Sequence, residues 1–217
     1  MNQMNQDMVE DNATRLALKS ELLQCIDKLG LQQSLFPIPD ESIDKLVRQL
    51  ESINPIPHAL QANYLPSLFG NWQLVYASQG TIVTRQIASI PDFWGAIKIK
   101  RVWQTLASGS NTRNILASNS AQLELPILGE WQLQANGHWK WGTDEKTATV
   151  SFDSFSIQAT KPFGLSNWSF PELKIPVLEF LQKEALWITS YLDQEIRIGR
   201  GATDNLFVFR REVRPSI

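Results

Sequence analysis

Residues 187–211 read WITSYLDQEIRIGRGATDNLFVFRR, and here charged groups sit inside an otherwise hydrophobic run. Ile196 and Ile198 alternate with Arg197. Arg200-Gly201 follows, and Asp193 lies just upstream. A half-buried arginine needs a partner, and Asp193 is the nearest acidic candidate, with Tyr191 beside it. Two readings stay open: a network that locks the last hairpin, or an arginine turned to a cavity mouth to bind a polar headgroup. More than a hundred residues upstream stands Gly70-Asn71-Trp72. A glycine there lets the chain turn sharply and drop the indole into one end of a barrel. If the first and last strands are neighbours, Arg197 or Arg210 can lie over the Trp72 face, a cation–π contact of roughly 0.5–2 kcal/mol. Such a device plugs the floor and leaves the other end open to a small molecule.

Catalytic chemistry finds little support. His58 and His138 stand in unrelated contexts and read as solvent-facing. No Cys/His cluster has metal spacing. Gly199-Arg200-Gly201 lacks the lysine and helix of a phosphate loop, and no serine sits in a nucleophile elbow. Asp144-Glu145 reads as a solvated turn. Cys25 falls on an apolar helix face and reads as a structural thiol. The expectation is a protein without catalysis, bound metal or required cofactor.

Composition agrees with a binding domain. The chain has 217 residues, 43% hydrophobic and only 19% charged, against roughly 25% charged in an average soluble domain. Eight Trp and ten Phe against three Tyr is an apolar aromatic bias suited to filling or lining a cavity. A net charge of −2 gives no electrostatic case for nucleic acid. Arg197, Arg200, Arg210, Arg211 and Arg214 nevertheless crowd the last 21 residues, either as a soluble edge or as a local anionic contact. The single cysteine excludes an intramolecular disulfide. No apolar run is long enough to span a membrane, and the N-terminus reads as neither signal nor transit peptide. A cytoplasm-like location with peripheral membrane contact is expected.

The elements that must position these residues follow from periodicity. Residues 1–12 are polar and expected to be a disordered tail, and 13–63 a helical segment. Within it Leu16, Leu18, Leu22, Leu23, Cys25, Ile26 and Leu29 recur at helical spacing until Gly30. A second helix opens at Pro39-Asp40-Glu41-Ser42, with Asp40 as its first candidate cap and Ser42 as the second, and carries Ile43, Leu46, Val47, Leu50 and Ile53. It ends at Asn54-Pro55-Ile56-Pro57. Over 64–217 alternation takes over. Trp72, Leu74 and Tyr76 share a face. Thr81–Ile87, Ala96–Leu106 (Ile97, Ile99 and Trp103 on one side), Thr112–Leu125, Gly129–Ala135 and Thr147–Ile157 are further strands. Asn136-Gly137 is a hairpin signal, and Ile175–Leu186 holds a short helix. About eight to ten strands without a βαβ rhythm predict a mainly β fold with an N-terminal helical extension, a meander that closes into an antiparallel barrel or stacks as a sandwich. Alternation nominates Tyr76, Trp103, Trp131, Phe152 and Phe207 as ligand-lining residues.

The same motifs resemble the plastid lipid-associated protein family, also called fibrillin or plastoglobulin. Tyr191-Leu192-Asp193, Ile196-Arg197-Ile198, Arg200-Gly201 and Leu206-Phe207-Val208-Phe209 are similar to its C-terminal signature. Asn54-Pro55 and Leu68-Phe69-Gly70-Asn71-Trp72-Gln73-Leu74-Val75-Tyr76-Ala77-Ser78 resemble its N-terminal one, and Thr81–Ile87 matches loosely. Gly199, where a Ser is common, is a departure, as are Gln194-Glu195 and the turn Ala202–Asn205. The lack of a transit peptide fits a cyanobacterial member. The resemblance implies a lipocalin-like barrel at thylakoids or lipid globules that binds carotenoids, prenylquinones or other isoprenoid lipids, with roles in photoprotection. It also implies contact with prenyl-diphosphate enzymes of quinone synthesis, and it carries over no catalytic residue. Two rival readings are a lipocalin-like bilin lyase and a scaffold docking on such an enzyme through residues 161–186.

Overall fold

The structure, a computed structural model, describes residues 2–36, 41–81, 97–110, 113–165, 168–175 and 184–212. Three helices precede nine strands: α1 (Asn2–Ser34), α2 (Glu41–Ser52), α3 (Leu65–Leu68), β1 (Gly70–Ala77), β2 (Lys98–Ser108), β3 (Asn114–Leu125), β4 (Gly129–Trp141), β5 (Thr147–Pro162), β6 (Leu173–Ile175), β7 (Ala185–Leu192), β8 (Ile196–Gly201) and β9 (Leu206–Arg211). α1 starts within the segment expected to be a disordered tail. Its Met, Gln and Glu residues are fair helix formers, and extending a helix nucleated further on is easier than starting one. Gly30 interrupts α1 with φ 72° and ψ 156°. The expected Asp40 cap and the segment 82–87 lie outside the described residues, as does 176–183 of the expected helix at Ile175–Leu186. The described ends of that last segment are strand.

The strands form one antiparallel sheet in the order β4-β3-β2-β1-β9-β8-β7-β5-β6, and β4 also pairs β5. That extra pairing bends the sheet into a ring, so the fold is barrel-like. The opening and closing strands are neighbours, with Trp72 opposite Arg211 and Leu74 opposite Phe209. The seam between β5 and β7 is short: Thr147–Val150 pair Ala185–Ile188, while β6 takes β5 further along, at Phe155–Ile157.

Asn136-Gly137 is not a hairpin. β4 runs straight through it, and the bulge at this point belongs to β5, where Asp153 is inserted between Phe152, opposite Gly137, and Ser154, opposite Asn136. The strands on either side were long enough to make a ladder that outweighed the turn preference of two residues. The turns that reverse the chain lie at 126–128 and 142–146.

Two apolar clusters result. One fills the floor half of the barrel around Trp72, Leu74, Leu106, Ile115, Trp139 and Phe209. The other lies outside the sheet, where Leu22 and Ile26 of α1 and Ile43, Val47 and Leu50 of α2 cover Tyr76, Tyr191, Ile196, Ile198 and Val208. Leu16, expected on that helical stripe, is exposed. Gln32 fixes α1 to the barrel: its Nε2 donates to the Ile97 carbonyl and its Oε1 accepts the Ile99 N–H at 3.0 Å.

Candidate ligand cavity and its floor

The floor is built from both chain ends of the sheet. Gly70 has φ 123°, a conformation side chains resist, and this swings Trp72 inward. Trp72 is fully buried, and its Nε1 donates to the Leu68 carbonyl at 2.7 Å. Arg211 lies over one ring at 4.0 Å from its centroid, and Arg197 at 5.1 Å. Arg211 also donates to the carbonyls of Phe69 and Ser67, which closes the α3 end. Arg197 was one of the two expected floor arginines. Arg210 was the other, and it is not there: register puts it opposite Gln73 and Ile196 on the outer face, half exposed and 4.0 Å from Glu195. A shift of one residue exchanges the faces of a strand, and Arg211 holds the inward place.

Among the described residues Arg197 has no carboxylate partner. Its guanidinium is fully buried against the rings of Phe209 (4.3 Å), Trp72 and Trp139 (5.6 Å), and Nη2 donates to Gln104 Oε1. Nε and Nη1, together with Trp139 Nε1, are buried without a partner among the described residues. Burial, and after it the nearby Arg211 charge, push the guanidinium down to about 9, so it stays cationic at neutral pH. The expected pairing with Asp193 does not form, because Asp193 lies on the other side of the sheet wall. There it accepts from Lys19 at 2.9 Å, from Tyr191 Oη at 2.9 Å, and from the Glu195 and Ile196 N–H groups at 2.8 Å each. Burial opposes its ionisation, but the Ile196 N–H, Lys19 and Glu195 N–H outweigh it and hold the carboxyl below the ordinary range. Lys19 in turn is held above its usual range by Asp193 and Glu195 despite burial.

Arg200 does not reach the mouth either. It clamps α2 to the barrel through Glu51 (2.8 and 3.0 Å), Asp204 (2.9 Å) and Asp44 (3.4 Å). The Glu51 hydrogen bond raises its already high basicity.

Above the floor is a cavity of about 430 Å³ lined by Leu74, Ile99, Val102, Leu133, Ala135, Phe155, Trp139, Trp187 and Phe209, with Gln104 and Asn119 among the few polar groups. Phe152, Phe207 and Gly201 line it as well. Tyr76 does not: it packs under the helices. The reason is a bulge between Leu74 and Tyr76, which reverses the alternation begun at Trp72. A second bulge between Ile99 and Arg101 acts likewise in β2. Trp103 therefore borders the cavity, but its ring faces outward opposite Gln73, with the Arg101 guanidinium 4.5 Å from its centroid. Trp131 is opposite Leu123 near the rim, outside the cavity lining, with Nε1 donating to the Leu128 carbonyl at 3.2 Å. A third bulge, between Thr189 and Tyr191, turns Tyr191 to the helices.

Residues not singled out from the sequence complete the site. Trp187 stacks on Trp139 (5.6 Å) and Phe207 (5.3 Å) across the wall. It lies directly over Gly199, where any Cβ would collide with its ring. Asn54 ties the end of α2 to β7 by donating to the Ser190 carbonyl at 2.8 Å and accepting the Leu192 N–H at 3.2 Å. Trp187 offered only period two as a signal, and Asn54 was marked as a helix end and a family motif, with nothing to show its partners on β7.

His138, expected to face solvent, is partly exposed on the outside of the sheet. Ser151 Oγ lies 3.0 Å from its Nε2, and Asp153 Oδ2 3.0 Å from its Nδ1. His138 and Ser151 are cross-strand partners on β4 and β5, Asp153 is the residue inserted between Phe152 and Ser154, and none of the three lines the cavity. Among the described residues no group of three or more His, Cys, Asp or Glu could hold a metal ion, and no helix is long and apolar enough to cross a membrane.

A ring-like antiparallel sheet, plugged at one end by Trp72 and two arginines and hollow above, defines a barrel-like class of protein with an internal cavity. The PAP_fibrillin family pattern matches residues 16–210, and the chain belongs to that family. It is similar to the "Probable plastid-lipid-associated protein 5, chloroplastic" of Arabidopsis thaliana, 24% identical over 204 residues, covering 90% of this chain and 70% of that protein. It is also similar to the "Probable plastid-lipid-associated protein 3, chloroplastic" of the same plant, 24% identical over 202 residues, covering 77% of this chain and half of that protein. No solved structure matches.

Proposed function

We propose that the protein binds and carries a hydrophobic lipid, of the isoprenoid class that includes carotenoids and prenylquinones, without catalysing its conversion. The observation that carries this reading is the apolar cavity of about 430 Å³ above a sealed floor, a size typical of small-molecule sites. Burial of an isoprenoid chain is favourable by roughly 25 cal/mol per Å² of apolar surface, so greasiness and shape suffice for selection. The plastid-lipid association named for the two relatives supports the same reading.

Loading takes place at a lipid surface, thylakoid or lipid globule, in a role of photoprotection or lipid homeostasis. The end of the barrel opposite Trp72 supports this. Its turns expose Ile127, Leu128, Phe163, Leu165 and Trp168, and the Phe163 N–H donates to the Leu128 carbonyl, so the two apolar tips are contiguous. Exposed apolar patches of this kind mark membrane or protein contacts. The same tips, with Phe170 and Leu173, favour a second reading: a scaffold that docks on a prenyl-diphosphate enzyme through 161–186.

The test is to purify the protein from its native host and extract what it holds. A stoichiometric isoprenoid lipid is the expected result. A bare protein that co-purifies with a synthase would replace carriage with the scaffold reading, and turnover of a bilin would replace it with a lyase.

A further inference from the structure

Arg197 sets the direction of a hydrogen-bond chain that ends in the cavity. A guanidinium has only donors, so the Gln104 carboxamide must face it through Oε1, as it does. That turns Gln104 Nε2 to Asn119, whose Oδ1 accepts it at 2.6 Å. Asn119 Oδ1 is thereby committed, and Nδ2 is the end left over. Gln104 and Asn119 are cross-strand partners, and both border the cavity. Among the described residues Asn119 Nδ2 has no protein partner, and unlike Arg197 Nε, Arg197 Nη1 and Trp139 Nε1 it is not sealed from open space. The amide orientation is not free to reverse, because the first member of the chain cannot accept. The buried positive charge polarises the relay in the same sense.

We propose that the inner end of this cavity is a hydrogen-bond donor site that selects apolar ligands whose buried end carries a carbonyl oxygen, as in a ketone, an ester or a quinone. The ligand enters head first, with its oxygen on Asn119 Nδ2 and its apolar body against Leu133, Ala135, Phe152 and Phe207. A pure hydrocarbon covers the same N–H and leaves it unpaired, which is unfavourable in an enclosed apolar space. The proposal rests on the carrier reading and sharpens it, since it ranks carbonyl-bearing lipids above hydrocarbon pigments.

The full chain is loaded with diphenylhexatriene, a fluorescent hydrocarbon, and displaced by decylbenzene or by decanophenone, which differ by one carbonyl in place of one methylene. The ketone is expected to displace at about tenfold lower concentration, the worth of one enclosed hydrogen bond. Asn119→Leu should abolish the preference, because no N–H is then left to reward the ketone or to be stranded by decylbenzene. The near-isosteric Asn119→Asp, which presents an acceptor in place of the N–H, should reverse it, and retained diphenylhexatriene binding shows that either variant is folded. Equal displacement by the two competitors on the unaltered chain overturns the donor site and leaves carriage intact. A preference that survives both variants also overturns it. Failure of the unaltered chain to bind diphenylhexatriene or either competitor overturns carriage itself, and the donor site with it.

Discussion

The two faces of β8 hold the same residue type in opposite settings. Inward stand Arg197, Gly199 and Gly201. Outward stand Ile196, Ile198 and Arg200. Arg200 is held by three carboxylates on the helix side. Arg197, three residues away, has none, and its charge is met by three aromatic faces and one amide oxygen. The outer cation fastens one element to another. The inner one organises the donors of a cavity floor, at the cost of keeping a charge without an ionic partner. Identity of residue therefore says little about role here; the face of the strand decides it.

The sharpest way to break this comparison is at the floor both faces depend on. Trp72→Ala removes a fully buried indole that Arg197 and Arg211 both face, and should lower stability by about 3–5 kcal/mol in chemical denaturation. Gly199→Ser follows. Its side chain cannot coexist with Trp187 in place, so a loss of about 1–3 kcal/mol is expected, with a shift in tryptophan emission as the ring is displaced.

Arg200→Met strands the largely buried Glu51, while Asp44 keeps Arg48 and Asp204 stays exposed to water, and should cost about 1–3 kcal/mol. Arg197→Met, by contrast, replaces a cation that has no acidic partner with an apolar chain of similar length, and should change stability by less than about 1 kcal/mol in either direction. If Arg197→Met proves the more damaging of the two, the contrast between the faces is wrong.

The smallest effect concerns pH. The folded Asp193 carboxyl titrates below its ordinary range, so its contribution is complete above about 4, the unfolded value, and is lost as pH falls from there through the folded value. Contacts of α1 through Lys19 should weaken first, seen as faster amide exchange in α1 than in β1 and β9 on acidification.

Much of this architecture was legible in the chain. Period two over the strands, the Gly70–Trp72 opening and the aromatic closing strand were enough to place the first and last strands side by side, because a meander that closes must join its ends. What the sequence hid was phase. Bulges between Leu74 and Tyr76, Ile99 and Arg101, and Thr189 and Tyr191 each insert one residue. Alternation counted across them assigns Tyr76 and Trp103 to the wrong face. Phe207 lies on the cavity because no such slip separates it from Phe209, and Phe152 keeps phase with Val150 because the slip in β5 falls after it, at Asp153. The partner of Asp193 was hidden for another reason. Lys19 is 174 residues away on a helix, and only the packing of α1 on the outer face of the sheet brings the two within 2.9 Å. Gln104 and Asn119 were unremarkable as residue types, and they gain meaning only once Arg197 is known to point at them.

The most direct measurement of the central claim is the stoichiometry of diphenylhexatriene binding to the unaltered chain and to Ala135→Trp, which fills the middle of the cavity. The account predicts one probe per chain, lost in the variant while the fold is kept. Equal binding by both would place the probe on the exposed apolar tips and contradict a ligand held inside the barrel.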